Sequence, residues 1–242
     1  MLLTVQAQIT VKGQKKVADN YPQLVDYSSY LTPVRDAGPL NTRSAYAFLY
    51  AIEYQIFINS GKKIPLSALH LYYQCGNQED TVYYNQGIKP QDAIRVLTTE
   101  GVVSEYTWPY DKRSGIPKLL NYVSLGDKYR VKEISLLFQD WEDKKFSRMK
   151  RNLSEFGPLV VEMKWPSSWN EVDGHTVLPD TLRVAPGEMG IKYICLTGFN
   201  EKEKYFFFKS ANGVFWGDKG YGRIAYEDME AFLLRAWEIR YK

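Results

Sequence analysis

The chain holds few side chains suited to nucleophilic or acid–base catalysis. There are two cysteines, Cys75 and Cys195, and two histidines, His70 and His175. A cysteine nucleophile needs a thiolate, which a neighbouring imidazolium or a helix N-terminus stabilises. Cys195 lies in an apolar run, Tyr193–Leu196, where a small buried hydrophobe is the expected role. Cys75 falls at the end of a helical stretch. His70 stands among Leu69, Leu71 and Tyr72, the setting of a packed or surface histidine. His175 sits in an Asp173–Gly174–His175 loop. A Ser44–His175 dyad would supply a hydroxyl with a base, but a dyad is made by geometry and not by composition. Two histidines far apart in the chain give no basis for a His-built metal site, so neither metal nor cofactor is expected. Two cysteines close at most one bridge, which excludes a disulfide scaffold.

These groups are carried by a helical half followed by a strand-rich half. Residues 2–11 alternate: Leu3, Val5, Ala7, Ile9 and Val11 fall on one face, the pattern of a half-buried strand. Residues 12–20 read as a polar loop. Over 42–60, Ala45, Phe48, Leu49, Ile52 and Ile56 recur at helical spacing, and Gly61 stops the helix. Ser67 caps a second helix reaching about Tyr73. A third spans 90–100, with Pro90 near its start and Gly101 at its end. A loop with Pro109 and Pro117 follows. Residues 143–155 form a basic amphipathic helix ending at Gly157–Pro158. Strands are then expected at Leu159–Met163, Tyr193–Gly198, Tyr205–Lys209 and Tyr221–Ala225. The fold class is α+β with two lobes.

Composition narrows the function classes. The chain has 242 residues, 45% of them hydrophobic and 24% charged, which is ordinary globular usage. A net charge of +3 with dispersed basic residues gives no nucleic-acid face. No apolar run approaches the length needed to span a bilayer, so membrane insertion is not expected. The first residues lack a basic segment followed by an unbroken apolar stretch, so no signal peptide is read and a cytoplasmic location is expected. The 19 tyrosines suit the margins of a large core, and secondarily a partner surface.

Several stretches in order resemble the papain family of cysteine peptidases, its bacterial members especially. They are YLTPVRDAG at Tyr30–Gly38, the helix Thr42–Tyr54 with Glu53, residues 87–110, residues 149–166, and residues 196–226 with Trp216-Gly217 and Gly220-Tyr221. The resemblance covers the chain from about residue 25 onward. It implies a two-lobe fold, a helical lobe plus an antiparallel β-barrel-like lobe, here with an extra N-terminal strand. The expected divisions are 1–25 as N-terminal strand and linker, 26–125 as the helical lobe and 126–242 as the β-rich lobe.

The family's chemistry uses a thiolate at a helix N-terminus, a histidine, an orienting asparagine and an oxyanion-binding glutamine. An ungapped match, held in register by Gly38 and Glu53, puts Ala37 at the glutamine position and Arg43 at the nucleophile. A rival match on Tyr46-Ala47-Phe48 needs an insertion and puts Ala45 there. Counting back from Gly198-Phe199 puts Lys192 at the histidine position. Ser210 takes the asparagine's place, and Asn212 that of the tryptophan shielding it. Cys75 falls near a family cysteine whose usual bridging partner is here Leu40.

The resemblance therefore implies a homologue without catalysis, acting as a protein-binding or structural module with a protein or peptide partner. Membership of a larger assembly, such as a secreted or phage-like particle, is consistent with this. The competing readings are a hydrolase rebuilt on Ser44 or Cys75, and a decoy that captures peptides. Arg43 and Lys192 also raise a carboxylate site at the old centre, against side chains turned to water or paired locally with Asp36 or Glu188.

Overall fold

The computed structural model describes residues 21–76, 87–110, 127–139, 144–171 and 189–241. The alternating segment 2–11, Pro117 and the loop with His175 lie outside them. Helix α1 (Arg43–Ser60) is the central element. Every residue from Ser44 to Tyr54 is buried, which explains why apolar side chains occur all round it and not on one stripe alone. Gly61 ends it in the left-handed region, φ 71°, with its N–H on the Phe57 carbonyl. Helix α2 (Ala68–Gln74) starts at Ser67, whose hydroxyl accepts the His70 N–H at 3.0 Å. Helix α3 (Pro90–Arg95) takes Pro90 at its first position and then widens into a π-turn over Val96–Glu100. The expected single helix over 90–100 therefore has the right limits but changes its hydrogen bonding part-way.

The strands are β1 (Leu24–Asp26), β2 (Glu133–Gln139), β3 (Leu159–Pro166), β4 (Met189–Asn200), β5 (Tyr205–Lys209), β6 (Tyr221–Ala225) and β7 (Leu233–Arg240). They form one antiparallel sheet in the order β2-β7-β3-β4-β5-β6, with β1 added on β4. Helix α4 (Lys145–Phe156) precedes β3, and α5 (Tyr226–Phe232) joins β6 to β7. The α+β architecture and its antiparallel sheet match the expectation. Strands β2 and β7 and helix α5 were not expected. Strands β3 and β4 also run longer than their apolar cores.

Both faces of the middle strands are covered. Val160 and Cys195 face each other across β3 and β4 and pack with α1. Their neighbours Leu159, Val161, Ile194 and Leu196 turn to the opposite side, where Met149 and Leu153 of α4 pack with them. Burial on both faces explains the unbroken apolar runs in these strands. At Gly198, a Cβ would lie 1.9 Å from the Val25 carbonyl oxygen, so β1 can approach β4 there only against glycine.

Candidate functional site

Two loop segments bring Ala37, Arg43 and Ser210 together at the start of α1. The segment before α1 lies along the segment after β5. The Ala37 N–H donates to the Ala211 carbonyl at 2.8 Å, and Asp36 pairs with Asn212. Ala37 is fully buried, and its carbonyl accepts the Tyr110 hydroxyl at 2.6 Å. Thr42 stands at the N-cap position but turns its hydroxyl to Ala37, 3.4 Å away, leaving the first turn without a side-chain cap. Arg43 is the first residue of α1, and its Nε donates to the Asn212 Oδ1 at 3.0 Å. Ser210 is buried; its hydroxyl accepts the Asn212 N–H at 3.2 Å. Asn212 thus links the Arg43 guanidinium to the turn that holds Ser210.

Lys192 lies on β4 opposite Met163 of β3. Its ammonium donates to the Asn170 Oδ1 at 2.5 Å and sits 4.5 Å from the centre of the Trp165 ring. The Trp165 indole N–H donates to the same oxygen at 3.1 Å. Burial, and secondly the charge of Arg43, push the Lys192 ammonium down to about 8. Arg43, Ser210 and Ala37 are therefore gathered at one locality, and the charge of Arg43 reaches Lys192. The hydrogen bond of Arg43 goes to Asn212, not to Asp36 as one local-pairing alternative had it. Glu188 lies outside the described residues.

The other candidates stand elsewhere. Ser44 is buried in the first turn of α1 and accepts the Ile88 N–H at 3.5 Å. Ala45, the rival nucleophile position, is fully buried inside α1. His70 is buried edge-on to Trp108, 5.5 Å between ring centres, and its Nε2 meets the Gln74 amide. Burial pushes its imidazole down to about 4, so it is neutral at pH 7. Cys75 caps the C-terminus of α2 as a free thiol, and burial pushes it up to about 12, with Asp92 adding to the effect. Cys195 is fully buried and likewise pushed up to about 12 by its burial. Both thiols are protonated at neutral pH and are poor nucleophiles. Among the described residues no cluster of His, Cys, Asp and Glu could hold a metal ion.

Sequence reasoning missed Asn170, which holds Lys192 from 22 residues away. No spacing rule links a 3-10 turn after β3 to a side chain on β4. A cavity of about 400 Å³ also opens between β1 and the β4–β6 strands, lined by Asp26, Ser28, Thr197, Phe207, Tyr221 and Arg223 among others, and by none of the residues above.

Comparison with known proteins places this arrangement. Residues 21–234 match the model of the papain family of cysteine proteases. An uncharacterised peptidase C1-like protein of Acanthamoeba polyphaga mimivirus is 24% identical over 233 residues, covering 90% of this chain and 75% of its own. Cathepsin 7 of Mus musculus is 25% identical over 236 residues, covering 92% of this chain and 67% of its own. Among solved structures, xylellain, a cysteine protease from Xylella fastidiosa, superposes with a TM-score of 0.74 at 22% identity, over 96% of this chain and 90% of that one. That last likeness is one of fold. The match over residues 21–234 extends through α1, strands β1 to β6 and both loops that build the site, and the chain belongs to the papain family of cysteine proteases.

Proposed function

We propose that this protein is a non-catalytic member of its family that works as a protein-binding or structural module. The observation that carries the reading is the residue at the N-terminus of α1. That position favours an anion through the unpaired backbone N–H groups and the helix dipole. A thiolate there would be stabilised; Arg43 is instead a cation, hydrogen-bonded to Asn212. The two thiols of the protein stand elsewhere and stay protonated. A hydrolase rebuilt on Cys75 would need that thiol ionised, and one on Ser44 would need a base where the Ile88 N–H is now bound.

The test uses the purified protein, a thiol-directed epoxide inhibitor of cysteine peptidases, and fluorogenic peptides between pH 5 and 8. The expected outcome is no added mass on the intact protein and no turnover above buffer. Labelling of Cys75 or measurable turnover overturns the proposal. Isolation of the native protein with whatever accompanies it then identifies the partner, whether an assembly or a single peptide.

A further inference from the structure

Arg43 and Lys192 differ from three other packed cations of this fold, while buried Lys209 shares with Arg43 and Lys192 the lack of an ion pair among the described residues. Arg35 is held by Glu53, Arg235 by Glu162, and Lys150 by Glu201 at 2.5 Å. Among the described residues the hydrogen-bond partners of Arg43 and Lys192 are side-chain amides, Asn212 and Asn170 respectively. Among the described residues neither forms an ion pair. An amide oxygen orients a cation without neutralising it. One donor of each is used by its amide, which leaves the guanidinium fork of Arg43 and further ammonium protons of Lys192 for another acceptor. The uncapped first turn of α1, an 18-residue helix, adds its positive end beside Arg43. Trp165 packs against Lys192 and limits the directions its ammonium can take.

We infer that Arg43, Lys192 and the first turn of α1 form a binding site for a carboxylate, supplied by a peptide or protein partner. The inference rests on the non-catalytic reading and names the chemistry by which the same site would hold its partner. The charge of Arg43 disfavours the Lys192 ammonium, so the two half-buried cations repel each other. An anion shared between them removes that repulsion and turns both amide contacts into supports for a charge-assisted pair. The planar fork of Arg43 suits a bidentate carboxylate, and the ammonium of Lys192 suits a third, unidentate bond. The arrangement accepts the C-terminal carboxylate of a peptide or an Asp or Glu side chain equally.

The experiment titrates the full-length protein with three probes at pH 7, followed by the side-chain NMR signals of lysine and arginine. The probes are acetyl-trialanine with a free C-terminus, the same peptide C-terminally amidated, and an amidated acetyl-Ala-Glu-Ala. The expected result is saturable binding of one or both carboxylate probes, at least tenfold tighter than the amidated trialanine. The preferred probe tells a C-terminal partner from an acidic side chain. The double variant Arg43→Gln, Lys192→Gln is expected to lose at least tenfold in affinity while keeping the wild-type denaturation midpoint. No shift of the Lys192 signal up to on the order of 10 mM probe, or unchanged affinity in the double variant, overturns the site. A carboxylate from residues 172–188 found on Arg43 overturns it too. Peptide turnover measured on the same samples reports separately on the non-catalytic reading.

Discussion

Two regions of this molecule each hold a pair of cations beside α1, and they are managed in opposite ways. Against the middle of α1, Glu53 is buried and takes bonds from Arg35, from the Thr32 hydroxyl and from the Leu66 N–H at 2.7 Å. Lys209 is buried beside it. Its ammonium donates to the Thr32 carbonyl at 2.5 Å and lies 3.7 Å from the centre of the Tyr50 ring. Arg35 packs on Tyr46 and Tyr50, about 5 Å from each ring centre. Arg43 at the N-terminus of α1 and Lys192 on β4 have amide oxygens and an indole but no carboxylate among the described residues. The first region is closed within the protein. The second is arranged but not neutralised. Charges that serve the fold are compensated internally, because a lone buried charge costs several kcal/mol. Charges left with only neutral partners in a half-buried place are where an outside ligand gains most.

The largest expected effect tests the closed region. Glu53→Gln keeps the shape but removes the charge that Arg35 and Lys209 share. Breaking a buried pair by deleting one partner costs about 3–5 kcal/mol, so the variant should unfold at much lower denaturant than wild type. Equilibrium urea denaturation checks this. A loss below about 1 kcal/mol would mean that Glu53 is not the hub of the network, and the contrast between the regions would lapse.

The second effect is a pH dependence. Burial pushes the Lys209 ammonium down to about 7, partly opposed by Glu53, and pushes Lys192 down to about 8. Both keep the ordinary lysine value near 10.5 once unfolded. Between pH 7 and 9 the unfolded state therefore binds more protons than the native one, and stability rises with pH. Lys209 alone contributes at most about 1.4 kcal/mol per pH unit to that slope. Above pH 9 the unfolded thiols ionise while the buried ones do not, which opposes the rise. Denaturation midpoints of wild type and Lys209→Met at pH 7, 8 and 9 check it; the variant should show the shallower slope. Equal slopes would show that Lys209 is charged throughout and compensated by more than its field from Glu53.

Much of the closed region was legible in the sequence, and much of the open one was not. The spacing of Ala45, Phe48, Leu49, Ile52 and Ile56 marks α1, and Gly61 its end, because helix periodicity and a left-handed stop are local signals. Ser67 announces α2 in the same local way. Strand β7 was missed because a register shift opposite Glu162 and Met163 interrupts its period of two, and β2 carries another such shift between Leu136 and Phe138. The seven residues of α5 are too few to show a helical stripe. Arg43 and Lys192 could be placed only through the resemblance to a family. Their amide partners come from segments 169 and 22 residues away, a pairing that only the tertiary fold sets.

The smallest effect is the one that sharpens the contrast most. Arg43 is the second cause, after burial, of the depressed Lys192 ammonium. Arg43→Gln should therefore raise the Lys192 value above about 8 yet leave it below the ordinary lysine value, because burial remains. The stability change should stay within about 1 kcal/mol, since the lost bond to Asn212 is offset by relief of repulsion. Titration of the lysine Cε signals by NMR reads the shift directly. The same substitution leaves Lys209 untouched, because its field comes from Glu53 and Arg35 and not from Arg43. A shift at Lys192 without one at Lys209 means that the two cation pairs are electrically separate. A site that is electrically separate from the core can bind and release a charged partner without disturbing the fold that presents it.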